Sequence, residues 1–361
     1  FRLVEGDAYN PLLVDRAEKR IKQLGFFKDV KVQRQPGSAE DRVVIVVHNT
    51  EQPTGELSYG AGYSTSEGII GDVSLTERNL MGNGQFLRLK LGGSADRLQV
   101  DLSFTEPRFL DKNIAAGFDV FHKELDLTSS SSYKTRRTGF VPRIGFPLSE
   151  DLWMSVNYTI SRDEIYDVLP GASLAVQNAV GTALTSSVGL GLRYDTRNHP
   201  RNPNKGIYLS ADADFAGLGG DVQYVRVQGE GRAYYPIFEK VTLVGRVVAG
   251  HIEGWGGEDV RLLDVFYRGG ETVRGFDKAG FGPRDLGTGD ALGGKSYWAA
   301  NAEVRFPLPF LSESLGMNGA VFADAGSLFN AAEGANVVAN LADDSAVRAS
   351  VGASIIWDSP L

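Results

Sequence analysis

From residue 52 onwards, apolar and polar side chains alternate along most of the chain. The first stretch of this kind consists of Leu57, Ser58, Tyr59, Gly60, Ala61, Gly62 and Tyr63. Because successive side chains of a β-strand point to opposite faces of a sheet, this period of two predicts a strand with one apolar face. The same alternation recurs at 98–104, 154–161 and 188–194. The pattern predicts a protein that is mostly β.

About fourteen such segments can be counted, starting near residues 55, 69, 84, 97, 114, 135, 151, 185, 206, 222, 241, 296, 316 and 346. The connections after even-numbered segments are compact and mostly contain proline. Several connections after odd-numbered segments are long, and the longest are predicted at 161–184, 252–295 and 327–345. Long loops at one end and short turns at the other are typical of an up-and-down membrane barrel.

The first fifty-one residues follow a different pattern and predict a small α/β unit. Asn10 can cap a helix that has Pro11 at its first position, and apolar residues recur at helical spacing until Gly25. Two strands are predicted to follow, at 27–33 and 42–48. The sequence Gln-Pro at 52–53 then separates this unit from the alternating region.

The composition narrows the class of β protein. The 361 residues include 44 glycines, 19 phenylalanines and 13 tyrosines, without a run of the roughly 18 apolar residues that a transmembrane helix needs. Glycine and aromatic residues in short alternating segments are typical of a transmembrane β-barrel, whose side chains alternate between lipid and lumen. A soluble β-sandwich would seldom keep polar residues on one face of so many strands. We therefore interpret residues 52–361 as a transmembrane antiparallel β-barrel preceded by a small α/β domain.

Catalytic, metal and cofactor sites find little support. The net charge of -8 and the lack of a basic run argue against nucleic acid as a partner, and the chain has no cysteine. Its four histidines are scattered without metal-ligand spacing, and the serines at 129–132 suggest a polar loop tip. The carboxylate pairs Asp163–Glu164 and Asp343–Asp344 fall in predicted outer loops and suggest surface charge or loosely held divalent ions. We predict no catalytic residue, metal or cofactor, and a protein that is not an enzyme.

The connection at 252–295 is rich in glycine and too long for an ordinary turn. Near its middle lie Val273, Arg274, Gly275 and Phe276. These four residues match, without substitution, and so resemble the signature of the large barrel loop in the BamA family of outer-membrane assembly factors and in related two-partner secretion transporters. The resemblance implies that the loop folds inward and that Arg274 contacts acidic residues on two later strands.

Glu303 and Asp324 are the acidic residues that fit this role. Each falls on the polar face of its alternating segment. A planar guanidinium can form paired hydrogen bonds with carboxylates in a way that an ammonium cannot. We predict a loop lock made of the four loop residues together with Glu303 and Asp324.

The stretch Leu24–Val32 resembles the helix-to-strand junction of a POTRA domain, the periplasmic repeat that precedes the barrel in the BamA family. The resemblance, which we take to be of alphaproteobacterial type, implies that residues 1–51 are the C-terminal part of the last POTRA domain and lie in the periplasm. The barrel at 52–361 is then expected to have about sixteen strands. Because the chain stops at Trp357–Leu361, directly after the fourteenth segment, we expect its last hairpin to be missing.

The same resemblance implies an outer-membrane protein that folds and inserts β-barrel clients, in concert with periplasmic-facing lipoproteins. In that family the first and last strands meet in a weak seam. The first strand here is Leu57–Tyr63, and an open edge offers unpaired N–H and C=O groups to an incoming strand. Gly60 and Gly62 would weaken this strand, although small residues also suit a crowded lumen. We predict that Leu57–Tyr63 pairs with client strands.

Two other functions remain open. A two-partner secretion transporter would share the arginine loop and the periplasmic domains but would export one long polypeptide. A passive porin would account for a barrel with a polar lumen, but not for the POTRA-like junction or the Arg-Gly-Phe loop. The number of POTRA domains upstream, and conductance with a defined export substrate, would discriminate among the three.

Overall fold

The computed structural model describes residues 6–39, 42–64, 68–200, 202–308 and 316–357. The predictions that concern residues 1–5 and 358–361 therefore lie outside the described residues. Three α-helices are present in the described ranges: α1 Pro11–Gln23, α2 Thr128–Ser131 and α3 Leu174–Asn178. The strands are β1 Phe27–Pro36, β2 Val43–Glu51, β3 Gly55–Ser64, β4 Gly68–Leu80, β5 Gln85–Gly93, β6 Arg97–Glu106, β7 Ala115–Asp126, β8 Lys134–Pro147, β9 Leu152–Tyr166, β10 Gly181–Asp195, β11 Gly206–Ala216, β12 Tyr224–Phe238, β13 Val241–Gly254, β14 Arg284–Asp285, β15 Ser296–Pro307, β16 Met317–Phe329, β17 Leu341–Ala342 and β18 Arg348–Trp357.

The N-terminal unit has the predicted helix followed by two strands. The Asn10 side chain accepts hydrogen bonds from the backbone N–H groups of Leu12 at 3.0 Å and Leu13 at 3.3 Å, which satisfies donors that the first helical turn leaves unpaired. Strands β1 and β2 form an antiparallel hairpin. Strand β1 continues to Pro36, past the predicted end, because its last residues still pair with β2.

All fourteen predicted segments are strands of one antiparallel sheet. Its order is β18-β16-β15-β13-β12-β11-β10-β9-β8-β7-β6-β5-β4-β3, and every neighbouring pair is antiparallel. Apart from the short connecting strands β14 and β17, each strand therefore pairs with its neighbour in sequence. The two ends of the sheet are β3 and β18, and within the described residues these two strands do not pair with each other.

The predicted limits of the three long connections were wrong. Strand β9 continues to Tyr166, β13 to Gly254 and β16 to Phe329, so the connections are 167–180, 255–295 and 330–347. At the end of β9, Arg162 and Glu164 replace apolar residues on the outward face, yet their backbones still pair with β8 and β10. The alternation thus ends before the hydrogen-bonded ladder does.

The two faces of the sheet differ in polarity. One face, here called the outer face, carries large apolar side chains that remain exposed: Leu57, Tyr59, Tyr63, Leu91, Val120, Phe140, Ile160, Leu190, Phe215, Val227, Val247, Val321, Val351 and Ile355. The exposure reaches 74% for Tyr59 and 76% for Tyr63. An apolar surface that follows so many strands is the surface expected to face lipid hydrocarbon in a membrane barrel.

No α-helix among the described residues combines the length and the apolar character needed to cross a membrane.

The connection 255–295, here called the inward segment, packs on the inner face. It contacts Asp163 of β9, Thr185 of β10, Glu303 of β15 and Asp324 of β16. These strands are spread over much of the sheet order, so the sheet must curl around the segment for all of them to reach it. The buried apolar core, which includes Val273 and Leu292, lies between this segment and the inner face.

Candidate functional site

The Arg274 side chain forms a fork onto two carboxylates of neighbouring strands. Its Nε and Nη2 donate to the two oxygens of Asp324 at 2.7 and 2.8 Å, and its Nη1 donates to Glu303 Oε2 at 2.5 Å. The backbone N–H of Arg274 also donates to Asp324, at 3.1 Å. The Asp324 side chain is 0% exposed and that of Glu303 10% exposed. We call these three residues the Arg274 fork.

The residues around the fork fix its geometry. The guanidinium lies 3.5 Å from the ring centroid of Phe322, and Glu303 also accepts a hydrogen bond from Arg305 at 2.7 Å. Val273, which precedes Arg274, is fully buried. Gly275, which follows Arg274, has a φ of 90°, a backbone conformation that favours glycine. The chain can therefore reverse directly after Arg274 while the arginine stays against the sheet.

Sequence reasoning from the family motif predicted these contacts, and the structure brings the predicted partners together. Glu303 and Asp324 are on adjacent strands, where Asn301 is paired with Asp324 and Glu303 with Phe322. Phe276, the last residue of the motif, turns away and packs edge-on against Phe281, with ring centroids 5.5 Å apart. The role of the set as a lock stays a prediction.

A second buried ion-pair cluster was missed. Asp163 was predicted to be a surface charge in an outer loop, and this prediction was wrong. Its side chain is 0% exposed on the inner face of β9 and accepts hydrogen bonds from Arg137 Nε at 2.8 Å and Arg261 Nη2 at 3.3 Å. The sequence did carry one signal for this position. Asp163 is two residues from both Ser161 and Ile165, so in a strand all three side chains point to the same, inward face. We call Arg137, Asp163, Arg261 and Asp264 the Arg261 cluster.

Asp290 holds the part of the inward segment that leads back to β15, here called the returning arm. This carboxylate accepts hydrogen bonds from Ser132 Oγ at 2.5 Å, from the backbone N–H of Ser173 at 2.6 Å and from Thr288 Oγ1 at 3.0 Å. Ser132 belongs to the serine run that was predicted to be a polar loop tip. Part of that prediction was wrong, because Ser131 is 1% exposed and the run packs against the inward segment.

Tyr133, which follows the serine run, also contacts Tyr267 of the inward segment. Their hydroxyl groups are 3.0 Å apart. Burial raises the pKa of Tyr133 to about 12, which favours the protonated hydroxyl that takes part in this hydrogen bond.

Replacing Asp290 by asparagine is expected to lower the stability of the folded protein by about 1–3 kcal/mol, because an amide N–H₂ would face donors that now meet a carboxylate oxygen. The temperature at which the folded form is lost on semi-native gels would report the change. Asp344→Asn is the matched control, since that side chain is 65% exposed. Equal unfolding temperatures for the two variants would contradict the assignment.

The seven residues Leu57–Tyr63 lie on the terminal strand β3. Within the described residues, β3 pairs on one side only, with β4. Leu57, Tyr59 and Tyr63 are exposed on the outer face. A side chain added at Gly60 would meet the Asp72 carboxylate at 2.9 Å, whereas one at Gly62 would meet nothing within 4 Å. In the sheet order the fork and this strand are far apart, near opposite ends.

Among the described residues, no three His, Asp or Glu side chains come together in a way that could hold a metal ion. The carboxylates of the Arg274 fork and the Arg261 cluster are instead paired with arginines. The arrangement can position a loop and a sheet edge, and the residues described above offer no activated nucleophile for covalent chemistry.

Comparison with known proteins agrees with this fold. A family model described as the Omp85 superfamily domain matches residues 79–361. The outer membrane protein assembly factor BamA of Neorickettsia risticii (strain Illinois) is 32% identical over 99% of this chain, which spans 48% of that relative's length. The chain thus spans about half of the curated relative it matches.

Solved structures give the same fold. The crystal structure of BamA from Haemophilus ducreyi lacking POTRA domains 1–3 has a TM-score of 0.84 at 24% identity, covering 99% of this chain and 74% of that one. CdiB from Acinetobacter baumannii has a TM-score of 0.57 at 14% identity, with 90% and 59% covered.

Proposed function

The chain belongs to the Omp85 superfamily, and from this membership we propose that it is part of an assembly factor that folds and inserts β-barrel proteins into a bacterial outer membrane. The similarity to curated assembly factors named BamA supports this reading. The similarity to the Neorickettsia relative also fits the alphaproteobacterial type.

The observation that carries the proposal is the match of residues 79–361 to the Omp85 superfamily domain, and the segment that we assign to client pairing is β3, the first strand of the large sheet. One edge of β3 pairs with β4, and the other edge is the one that an opened seam would leave unpaired. Unpaired backbone groups in hydrocarbon cost several kcal/mol each, so such an edge favours any strand that can satisfy them. A client strand that pairs with β3 would be delivered at the membrane with its own apolar face towards lipid. The Leu57–Tyr63 stretch is the proposed pairing segment.

The energy for insertion would come from the client. Burying its apolar strands in lipid and pairing their backbones are both favourable, so a template that lowers the barrier needs no nucleotide and no covalent step. A role other than catalysis also fits the relatives, which are named as assembly factors.

We also propose the domain assignment that goes with this function. Residues 1–51 form the end of a POTRA domain on the periplasmic side, where lipoproteins of an assembly complex would bind. Residues 52–361 form most of a barrel whose complete sheet has about sixteen strands. The helix-and-hairpin unit α1-β1-β2 and the curled sheet around the inward segment support this division.

The test uses the full-length protein reconstituted in lipid vesicles. Unfolded β-barrel clients are added, and their conversion to a heat-modifiable, protease-protected form is followed with time. We expect assembly to be on the order of ten times faster than in empty vesicles. Conductance combined with export of one long polypeptide, without faster client assembly, would instead identify a secretion transporter, and conductance alone a porin.

A further inference from the structure

The inward segment is attached to the sheet at two places that are separated by four strands. The Arg274 fork lies on β15 and β16, whereas the Arg261 cluster lies on β8 and β9, and β10, β11, β12 and β13 come between β9 and β15 in the sheet order. The family motif that predicts the fork does not include Arg261. The second attachment is therefore defined by the contacts that Arg261 itself makes.

Arg261 joins the segment to the sheet through its Nη2 group. Its Nε and Nη2 donate to Asp264 at 2.6 and 3.2 Å, and the same Nη2 reaches Asp163 at 3.3 Å and Thr185 Oγ1 at 3.1 Å. Both carboxylates are buried, with side chains 2% exposed for Asp264 and 0% exposed for Asp163. Arg261 thus links Asp264, a buried acid of the segment, to Asp163, a buried acid of β9.

Asp163 is held in place independently of Arg261. Besides Arg137, it accepts hydrogen bonds from Ser161 at 3.0 Å and from Thr185 at 2.6 Å, both on the strands β9 and β10. Asp163 therefore offers Arg261 an acceptor whose position is fixed by β8, β9 and β10. The paired hydrogen bonds from Arg261 to Asp264 in turn hold the guanidinium in one orientation, with its Nη2 directed at Asp163 and Thr185.

A series of packed side chains and hydrogen bonds leads from Arg261 to the tip of the segment, which is the turn that carries Thr272, Val273 and Arg274. Phe266 exchanges two backbone hydrogen bonds of 2.9 Å with Gly294 of the returning arm, and its ring meets that of Tyr297 at 4.6 Å. The Arg268 guanidinium then lies 3.9 Å from the Tyr297 ring centroid. Gly269 closes the turn before the tip by accepting hydrogen bonds from the N–H groups of Thr272 and Val273.

We propose that Arg261 is a positioning residue for client assembly: by anchoring the entering arm to Asp163, it places the tip so that Arg274 meets Asp324 and Glu303. This inference rests on the proposed assembly function, but its geometric part does not. The segment acts as a brace between two parts of the sheet, the strands β8 and β9 on one side and β15 and β16 on the other. Loss of either anchor lets the other move.

The experiment uses single cysteines, because the 361 residues of this chain contain none, and any cysteine elsewhere in the full-length protein is first replaced by serine. Thr272→Cys reports on the tip, where Thr272 is 6% exposed, and Val260→Cys reports on the arm, where Val260 is 3% exposed. In the full-length protein in vesicles, the rate of maleimide labelling is measured for each reporter with and without Arg261→Met. Client assembly is measured on the same preparations. Lys278→Met is the matched control, since Lys278 forms no ion pair within the described part of the segment.

We expect Arg261→Met to raise the labelling rate of both reporters about tenfold and to slow client assembly by a similar factor, with Arg261→Lys in between. Should Arg261→Met fail to fold, the double variant Arg261→Met/Asp264→Leu removes the acid left unpaired and tests the same anchor. Lys278→Met is expected to change neither rate.

Two results would overturn the inference. If Val260→Cys labels faster while Thr272→Cys stays protected, Arg261 acts only on its own surroundings. If both label faster and assembly is unchanged, the position of the tip does not matter for assembly. Wild-type protein that assembles no client would instead refute the proposed function, and the two labelling rates would still decide whether Arg261 positions the tip.

Discussion

Arg274→Ala is expected to release the tip of the inward segment and to slow client assembly by a factor on the order of ten or more. The substitution removes every side-chain hydrogen bond from the guanidinium to Asp324 and Glu303, and leaves Asp324, whose side chain is 0% exposed, without that cation. Breaking one side of a buried ion pair costs about 3–5 kcal/mol. Because about 1.4 kcal/mol is a factor of ten in an equilibrium, the docked tip should lose a large part of its population.

The measurements are protease cleavage within the inward segment, client assembly in vesicles and growth of cells that depend on the protein. Arg274→Lys separates charge from geometry: a lysine keeps the charge but cannot form the paired contact with Asp324, so it should recover only a minor part of the activity. Asp324→Asn should resemble Arg274→Ala, and Glu303→Gln should have a smaller effect because Glu303 makes one contact to Arg274. Unchanged folding, protease resistance and growth in Arg274→Ala would refute the lock.

The strands and the fork could be predicted because their signals are local or shared within a family. A period of two located all fourteen strands of the large sheet. Asn10 and Pro11 marked the start of α1 by the chemistry of a helix N-terminus. Arg274 was recognised by its motif, and the alternation placed Glu303 and Asp324 on the inner face.

The Arg261 cluster could not be predicted in the same way. Asp163 and Arg261 are 98 residues apart in the chain, and what brings them together is the path of a glycine-rich segment without periodicity. Asp163 also lies where β9 passes beyond the apolar part of the outer face, so the outward neighbours Arg162 and Glu164 are polar and the stretch looks like a loop. The remaining signal was the alternation of side chains along β9, which places Asp163 on the inner face. This alternation can be used only if it is already known that the strand extends past Asp163.

The two attachments suggest how the large sheet keeps its shape. The carboxylates of the Arg274 fork and the Arg261 cluster are paired with arginines, and the inward segment joins strands from β8 to β16 through these pairs. The strands from β3 to β7 make none of the ion pairs described above with this segment. The stiffness that these pairs add is thus concentrated between β8 and β16. This asymmetry suits the proposed opening of the sheet at the β3 edge.

Closing that edge covalently should abolish client assembly. In the full-length protein, Gly62→Cys would be paired with a cysteine on the strand that faces β3 across the seam. Gly62 is suitable because a side chain there would meet no atom of β4 within 4 Å, so the substitution should not disturb the ladder between β3 and β4. Assembly should stop on oxidation and return on reduction, because a tied edge cannot exchange its partner for a client strand.

The control pair is Ala302→Cys with Ala323→Cys, which joins β15 and β16 at directly paired residues away from the seam. Oxidation of this pair should leave assembly intact, because the strands it joins already share a complete ladder and do not need to separate. A loss of activity in the seam pair alone therefore reports on opening and not on oxidation or on a disulfide as such. Full activity of the oxidised seam pair would refute the role of the β3 edge, and client assembly would then have to proceed through the lumen or at the lipid surface of a closed sheet.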